Sequence, residues 1–114
     1  MSGLRSICRS EELVDGGKGV RFVVVRFGVD EPAFVIRHGG RARAYLNRCA
    51  HVPTELDWNP GEFFDHEGRY LVCATHGALY AADSGRCIAG RCNGKSLVAL
   101  EVTEADGQVF LMES

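Results

Sequence analysis

Two short segments of the chain combine cysteine with histidine, side chains well suited to binding a transition metal. Cys49 and His51 stand in "NRCAHVP" with one residue between them, and Cys73 and His76 stand in "CATHGALY" with two residues between them. Thiolate sulfur and neutral imidazole nitrogen both ligate iron and zinc. The two pairs are separated by 21 residues, so a shared site requires a fold that brings two loops together.

The residue pattern alone leaves several kinds of site open. Mixed structural zinc sites usually group cysteine with cysteine and histidine with histidine, whereas each pair here contains one of each. A plant-type ferredoxin needs a C-x4-C-x2-C run. Cys87 and Cys92 fit its first two cysteines, but Lys95 stands where the third cysteine is required. A cysteine nucleophile activated by histidine would use only one of the two pairs.

Short strands must position these residues. Apolar, β-branched and aromatic runs alternate with turn signals such as "HGG", "DHEG", "DSG" and "EADG". The segment "SEELVDG" could form either a short helix or a strand-and-turn entrance to the fold, and a hairpin is predicted in "GEFFDHEGRY". The pattern therefore predicts an all-β fold of antiparallel sheets, a sandwich or partial barrel. The predicted strands cover residues 20–27, 33–38, 41–47, 69–73, 78–82, 96–102 and 108–113.

Length and composition predict one globular domain over residues 1–114. The formal net charge of -2 argues against a nucleic-acid-binding surface. No segment reaches the roughly 18 apolar residues of a membrane helix, and the first residues lack the apolar core of a signal peptide. We therefore expect a cytoplasmic protein that binds neither membrane nor nucleic acid. Its five cysteines, an odd number, predict metal binding or burial rather than a disulfide framework.

The pattern C-x-H followed by C-x-x-H, with Tyr80 four residues after the second histidine, resembles the ligand pattern of Rieske iron–sulfur domains. The resemblance covers about residues 45–112 and includes "DSGRC" and "LVALEV". It implies a Rieske-like fold in which residues 46–82 form a cluster-binding subdomain of two loops. It also implies one [2Fe–2S] cluster per chain, with sulfur ligands on one iron and nitrogen ligands on the other. The implied ligands are Cys49, His51, Cys73 and His76.

Several positions depart from the high-potential members of that family. Thr54 and Thr75 replace the cysteines that form a disulfide across the cluster, and Ala78 replaces a serine that donates to a cluster sulfur. Tyr80 occupies the place of the tyrosine whose hydroxyl donates the second hydrogen bond to a cluster sulfur. Because such donors favour the reduced cluster, we predict a midpoint potential in the lower part of the Rieske range of roughly -150 to +300 mV. Gly77 is predicted to give backbone N–H groups room near the cluster.

By this resemblance, the chain carries single electrons and catalyses no turnover of its own. Ferredoxins of this kind accept electrons from a flavoprotein reductase and deliver them to a terminal oxygenase. The alternatives are an accessory small subunit of a reductase, such as a nitrite reductase-like complex, and a cluster-based redox sensor. Cys8, Cys87 and Cys92 are expected not to be ligands, with Cys8 buried on a first strand. The hairpin region collects Glu55, Asp57, Glu62, Asp65 and Glu67, which are expected to be ordinary solvated charges. The alternative is an acidic patch that could steer a basic partner.

Overall fold

The computed structural model describes residues 3–49, 54–57, 59–74, 77–90 and 94–113. Within these ranges it contains one short 3-10 helix, Ser10–Glu12, in the segment for which the sequence leaves a short helix and a strand-and-turn entrance open, and otherwise strands and turns. No helix in the described residues is long and apolar enough to cross a membrane. The strands are β1 (Gly3–Arg9), β2 (Val20–Arg26), β3 (Val29–His38), β4 (Arg41–Leu46), β5 (Tyr70–Val72), β6 (Leu79–Ala81), β7 (Cys87–Ala89), β8 (Ala99–Leu100), β9 (Val102–Ala105) and β10 (Gln108–Glu113).

The strands form three antiparallel sheets, which confirms the predicted all-β class. Sheet A has the order β1-β10-β9, sheet B the order β2-β3-β4-β8, and sheet C the order β5-β6-β7. Each of the three is open at both edges, so none of them closes into a barrel. The predicted hairpin is also present, with an antiparallel bridge between Phe64 and Leu71.

Strand β3 lies in the middle layer of the fold, and both of its faces are therefore buried. The four residues Ala33–Ile36 are fully buried, which explains the uninterrupted apolar run "AFVI". Val35 packs in a cluster with Val109 of sheet A, and Phe34 packs in another cluster with Tyr80 of sheet C. Sheet B is therefore covered by sheet A on one side and by sheet C with its loops on the other.

A stacked pair of aromatic rings joins sheet B to the segment between β4 and β5. The rings of Phe34 and Phe63 lie 3.9 Å apart between centroids at an interplanar angle of 13°. Both side chains are fully buried. Such a pair stabilises by about 0.5–1.5 kcal/mol beyond the burial of its area. The stack thus fixes the position of the segment that leads from the first predicted ligand pair to the second.

The predicted strand over residues 96–102 is wrong in one respect, because two strands replace it. Strand β8 pairs with β4 in sheet B, and β9 pairs with β10 in sheet A. The chain changes sheets at Glu101, whose carbonyl oxygen accepts a hydrogen bond from the N–H of Met112 at 3.0 Å. An apolar run shows that a segment is extended but does not show which sheet it joins. The three-residue strand β7 was not predicted from the sequence.

Strand β2 is an edge strand of sheet B and carries the exposed side chains of Val23 and Val25. Arg5 of β1 reaches across to this edge. Its guanidinium donates a hydrogen bond to the carbonyl oxygen of Val23 and lies 5.9 Å from the centre of the Phe22 ring. One backbone acceptor of the edge is therefore already occupied.

Arg37 of β3 fastens two other segments of the chain to sheet B. Its Nε donates to the carbonyl oxygen of Leu13 at 3.0 Å, and its Nη2 donates to Oε2 of Glu104 at 2.7 Å. These contacts join the N-terminal turn and β9 to the middle layer. The hydrogen bond from Arg37 holds the pKa of Glu104 below its usual value.

We expect Arg37→Gln to lower the free energy of unfolding at pH 7 by about 1–3 kcal/mol, because charge-assisted hydrogen bonds are lost. A lowered pKa means that Glu104 stabilises the fold above its unfolded pKa and that this contribution is lost as the pH falls through its folded pKa. Urea unfolding should therefore show a smaller difference between wild type and variant at pH 3. Arg41→Gln, at an exposed site, is the control with a change below about 0.5 kcal/mol. An Arg37→Gln deficit that is equally large at pH 3 would contradict the ion-pair assignment.

Candidate metal centre

The first predicted ligand pair begins just after β4, in a loop whose described ends are held together. Cys49 is buried, and its N–H donates to the carbonyl oxygen of Thr54 at 2.7 Å. Oδ1 of Asn47 accepts from the N–H of Leu56 at 2.8 Å. The chain thus turns back on itself between these points. Residues 50–53, which include His51, lie outside the described residues.

A buried carboxylate lies beside this loop. Asp57 is 6% exposed, so it belongs to the core and the expectation of a solvated charge is wrong at this position. Its Oδ1 accepts from Nδ2 of Asn47 at 2.9 Å, and its Oδ2 accepts from the N–H of Gly61 at 3.0 Å. Nε of Arg21 lies 3.6 Å from the same Oδ2. Two donors and one cation therefore compensate the buried charge.

The other acidic residues of the hairpin region have different surroundings. Glu55 is exposed and accepts from Nη2 of Arg21 at 2.8 Å, so its charge is paired. Asp65 is half-buried, and its Oδ1 accepts from the N–H of Arg69 at 2.9 Å, within the hairpin turn. Glu62 and Glu67 are exposed. Oε2 of Glu62 accepts from Nδ2 of Asn59 at 3.1 Å, and Oε2 of Glu67 lies 3.8 Å from Nε of Arg69.

The second predicted ligand pair begins between β5 and β6. Cys73 is fully buried, and its N–H donates to the carbonyl oxygen of Ala78 at 2.9 Å. The N–H of Gly77 donates to the carbonyl oxygen of Cys73 at 2.7 Å. Gly77 has φ of +71° with no atom within 4 Å of an added Cβ, so its backbone angle and not crowding calls for glycine. Residues 75 and 76, which include His76, lie outside the described residues.

The two loops are joined directly by the backbone. The N–H of Ala74, next to Cys73, donates to the carbonyl oxygen of Leu56 at 2.9 Å. Cys49 and Cys73 also belong to the same cluster of buried residues. Two thiols that are distant in sequence therefore belong to one buried core.

Tyr80 of β6 brings a hydroxyl group to the first of these sulfurs. The side chain is fully buried, and its Oη lies 3.3 Å from Sγ of Cys49. That distance is within hydrogen-bonding range for sulfur. Tyr45 uses its hydroxyl differently: it donates to the carbonyl oxygen of Ala82 at 2.7 Å, and burial raises its pKa to about 12.

The described part of the site suits a metal–sulfur centre. Thiolate is the soft ligand that iron–sulfur clusters use, and buried thiolates need a cation nearby. Leu56, Phe63 and Leu71 are fully buried in the same cluster as the two cysteines, so this part of the core is apolar. No group of three His, Cys, Asp or Glu residues converges within the described ranges, which do not include the two predicted histidine ligands.

Sequence reasoning missed a disulfide beside the site. Cys87 of β7 is disulfide-bonded, whereas Cys8, Cys49 and Cys73 carry thiols. The expectation that the cysteines serve only metal binding or burial is therefore wrong for Cys87. The signal in the sequence is the C-x4-C spacing of Cys87 and Cys92, which is also part of a ferredoxin motif. Cys8 is 7% exposed on β1, and burial raises its pKa to about 11.

We expect Asp57→Ala to lower the free energy of unfolding by about 2–4 kcal/mol, because the side-chain amide of Asn47 and the N–H of Gly61 would remain buried without their acceptor. Denaturant unfolding measures this loss, and iron per chain should fall with it. Glu62→Ala removes an exposed carboxylate from the same segment and should change stability by less than about 0.5 kcal/mol. Equal effects of the two substitutions would show that the buried hydrogen bonds do not hold the loop.

Solved structures share this fold over nearly the whole chain. The "Sphingomonas yanoikuyae B1 ferredoxin" matches with a TM-score of 0.75 and 20% identity, over 98% of this chain and 100% of that chain. A "Complex of reduced oxygenase and oxidized ferredoxin in carbazole 1,9a-dioxygenase" matches with a TM-score of 0.72 and 23% identity, over 95% of this chain and 91% of that chain.

A larger protein contains the same fold as one part. The "Terminal oxygenase of carbazole 1,9a-dioxygenase from Novosphingobium sp. KA1" matches with a TM-score of 0.73 and 22% identity, over 97% of this chain but 30% of that chain. No curated protein matches the sequence. The family model described as "Rieske [2Fe-2S] domain" matches residues 4–106. The chain therefore belongs to the Rieske [2Fe–2S] domain family.

Proposed function

We propose that this chain is a one-electron carrier that holds one Rieske-type [2Fe–2S] cluster. The proposed ligands are Cys49, His51, Cys73 and His76, within a cluster-binding subdomain of residues 46–82 in a single domain of residues 1–114. The observation that carries the proposal is the position of Cys49 and Cys73 in one buried cluster, in two loops joined by a backbone hydrogen bond. Family membership supports the cofactor.

The residues of the chain have separate tasks in this function. A cluster with two thiolate and two imidazole ligands supplies one-electron chemistry at a higher potential than an all-cysteine cluster. The buried apolar residues that share a cluster with Cys49 and Cys73 exclude water from that part of the core. Tyr80 is placed to donate a hydrogen bond to Sγ of Cys49, which lowers the charge density on that sulfur.

The matches support a separate carrier protein, with other proteins as its redox partners. This chain spans the full length of a small ferredoxin but corresponds to less than a third of a terminal oxygenase. In one matched structure, a ferredoxin is in complex with an oxygenase. We propose that a flavoprotein reductase supplies the electron to this chain in the cytoplasm, and that a terminal oxygenase or reductase subunit accepts it. We propose no catalytic residue in this chain, and no binding of the chain to nucleic acid or membrane.

Anaerobic reduction of the purified protein tests the proposal. We expect a red-brown protein with a rhombic EPR signal after dithionite treatment, and bleaching by NADH through a flavoprotein reductase of a Rieske oxygenase system. Cys49→Ser should lose the colour, whereas Cys8→Ala should keep it. A colourless protein that contains zinc would disprove the cluster. A coloured protein that exchanges no electrons with reductase or oxygenase would disprove the carrier function and favour an accessory subunit or sensor.

We expect Tyr80→Phe to lower the midpoint potential by about 20–60 mV. A lost hydrogen bond of roughly 0.5–1.5 kcal/mol to a ligand sulfur destabilises the reduced, more negative cluster. Potentiometric titration followed by EPR measures the shift.

Tyr45→Phe is the matched control for this substitution. It removes a buried hydroxyl that is bonded to a backbone carbonyl, so we expect lower stability with an unchanged potential. Equal potentials in wild type and Tyr80→Phe would rule out the proposed role of the Tyr80 hydroxyl.

A further inference from the structure

An ion-pair group beside the first loop has an excess of negative charge. Arg21 contacts two carboxylates: its Nε lies 3.6 Å from Oδ2 of Asp57, and its Nη2 lies 2.8 Å from Oε1 of Glu55. Within the part of the chain that the structure describes, these three side chains form one group. One guanidinium cannot balance two carboxylates, so one negative charge of the group is left uncompensated.

The members of this group differ in their exposure to solvent. The side chain of Asp57 is 0% exposed, whereas the side chains of Arg21 and Glu55 are 37% and 44% exposed. Water and salt screen exposed charges strongly and buried charges much less. Inside the protein, the negative charge of Asp57 therefore acts more strongly than the positive charge of Arg21.

Hydrogen bonds connect the carboxylate of Asp57 to both loops of the proposed site. Its Oδ1 accepts from Nδ2 of Asn47, and Oδ1 of Asn47 accepts from the N–H of Leu56. The carbonyl oxygen of Leu56 accepts from the N–H of Ala74. Asn47 stands two residues before the first predicted sulfur ligand, and Ala74 stands directly after the second. The buried charge is therefore held in a fixed position relative to both cysteine loops.

We propose that Asp57 helps to set the redox potential: its buried charge lowers the midpoint potential of the cluster, and Arg21 partly offsets this effect. The inference rests on the proposed function, because it requires a [2Fe–2S] cluster in the two loops. Reduction adds one negative charge to the cluster, and a fixed negative charge nearby makes that addition less favourable. Asp57 acts through its electric field and needs no contact with the cluster.

This effect is separate from that of the hydrogen-bond donors to sulfur. Ala78 lacks the donor group of a serine, and this absence also favours a low potential. Tyr80 acts in the opposite direction through its hydroxyl, which contacts Sγ of Cys49. A lower potential makes the reduced carrier a stronger electron donor. The charge of Asp57 thus favours delivery of the electron to the acceptor protein.

The substitution Asp57→Asn tests the field, because it keeps the size of the side chain and removes its charge. At a fixed solution potential, we expect the ratio of reduced to oxidised cluster to rise about tenfold. For one electron, this is an upward midpoint shift of about 59 mV. Potentiometric titration of the purified holoprotein, followed by EPR, measures the shift without any redox partner. Glu62→Gln removes an exposed carboxylate from the same segment and is the matched control, with a change below about twofold.

The substitution Arg21→Gln should shift the potential in the opposite direction. It leaves the hydrogen bonds from Asn47 and Gly61 to Asp57 in place. We expect the ratio of reduced to oxidised cluster to fall about threefold, a smaller change because the guanidinium is partly exposed. Raising the salt concentration should diminish the Arg21→Gln shift and leave the Asp57→Asn shift nearly unchanged. Damage to the loop does not explain two shifts of opposite sign with different salt dependence.

Equal midpoint potentials in wild type and both variants would overturn the inference, and so would shifts of the same sign in the two variants. An unchanged or raised potential in Arg21→Gln overturns it even if Asp57→Asn binds too little iron for titration. These results leave the carrier function intact, because no redox partner takes part in the measurement. A wild-type protein without a cluster would instead overturn the proposed function and, with it, this inference.

Discussion

The carboxylate of Asp57 is buried together with the side-chain amide of Asn47 in a largely apolar core, and the groups that compensate its charge determine how the first loop is built. The side-chain amide of Asn47 donates to this carboxylate through Nδ2, and its Oδ1 accepts from the N–H of Leu56. The carbonyl oxygen of Leu56 in turn accepts a hydrogen bond from the N–H of Ala74 in the second loop. One continuous chain of hydrogen bonds therefore runs from a buried charge to both cysteine loops.

The parts of the molecule that follow from local chemistry were predictable. The cysteine and histidine spacing predicted two loops that share one site, and a backbone hydrogen bond from Ala74 to Leu56 joins the described parts of those loops. The four ligands stay a prediction. The run "AFVI" likewise indicated a strand with two buried faces, and β3 has both. Tyr80 is predicted to donate to a cluster sulfur, and its hydroxyl lies 3.3 Å from Sγ of Cys49, whose role as a ligand stays a prediction.

The parts that depend on tertiary partners were not predictable from one sequence. From the sequence, Asp57 is predicted to be a surface charge, because its neighbours in the chain do not show that Asn47 and Gly61 donate hydrogen bonds to it. The change of sheet at Glu101 depends on which edges β4 and β10 leave open. The disulfide of Cys87 depends on which part of the chain the fold brings beside β7, and local residue types do not show this.

The contact between Arg5 and the carbonyl of Val23 also affects how the protein behaves in concentrated solution. An open strand with exposed valines is a template on which a second chain can add its own strand and begin to aggregate. By occupying one acceptor and placing a positive charge there, Arg5 makes such addition less favourable. The N-terminal strand thus protects the solubility of the protein at an edge far in sequence from the cysteine loops.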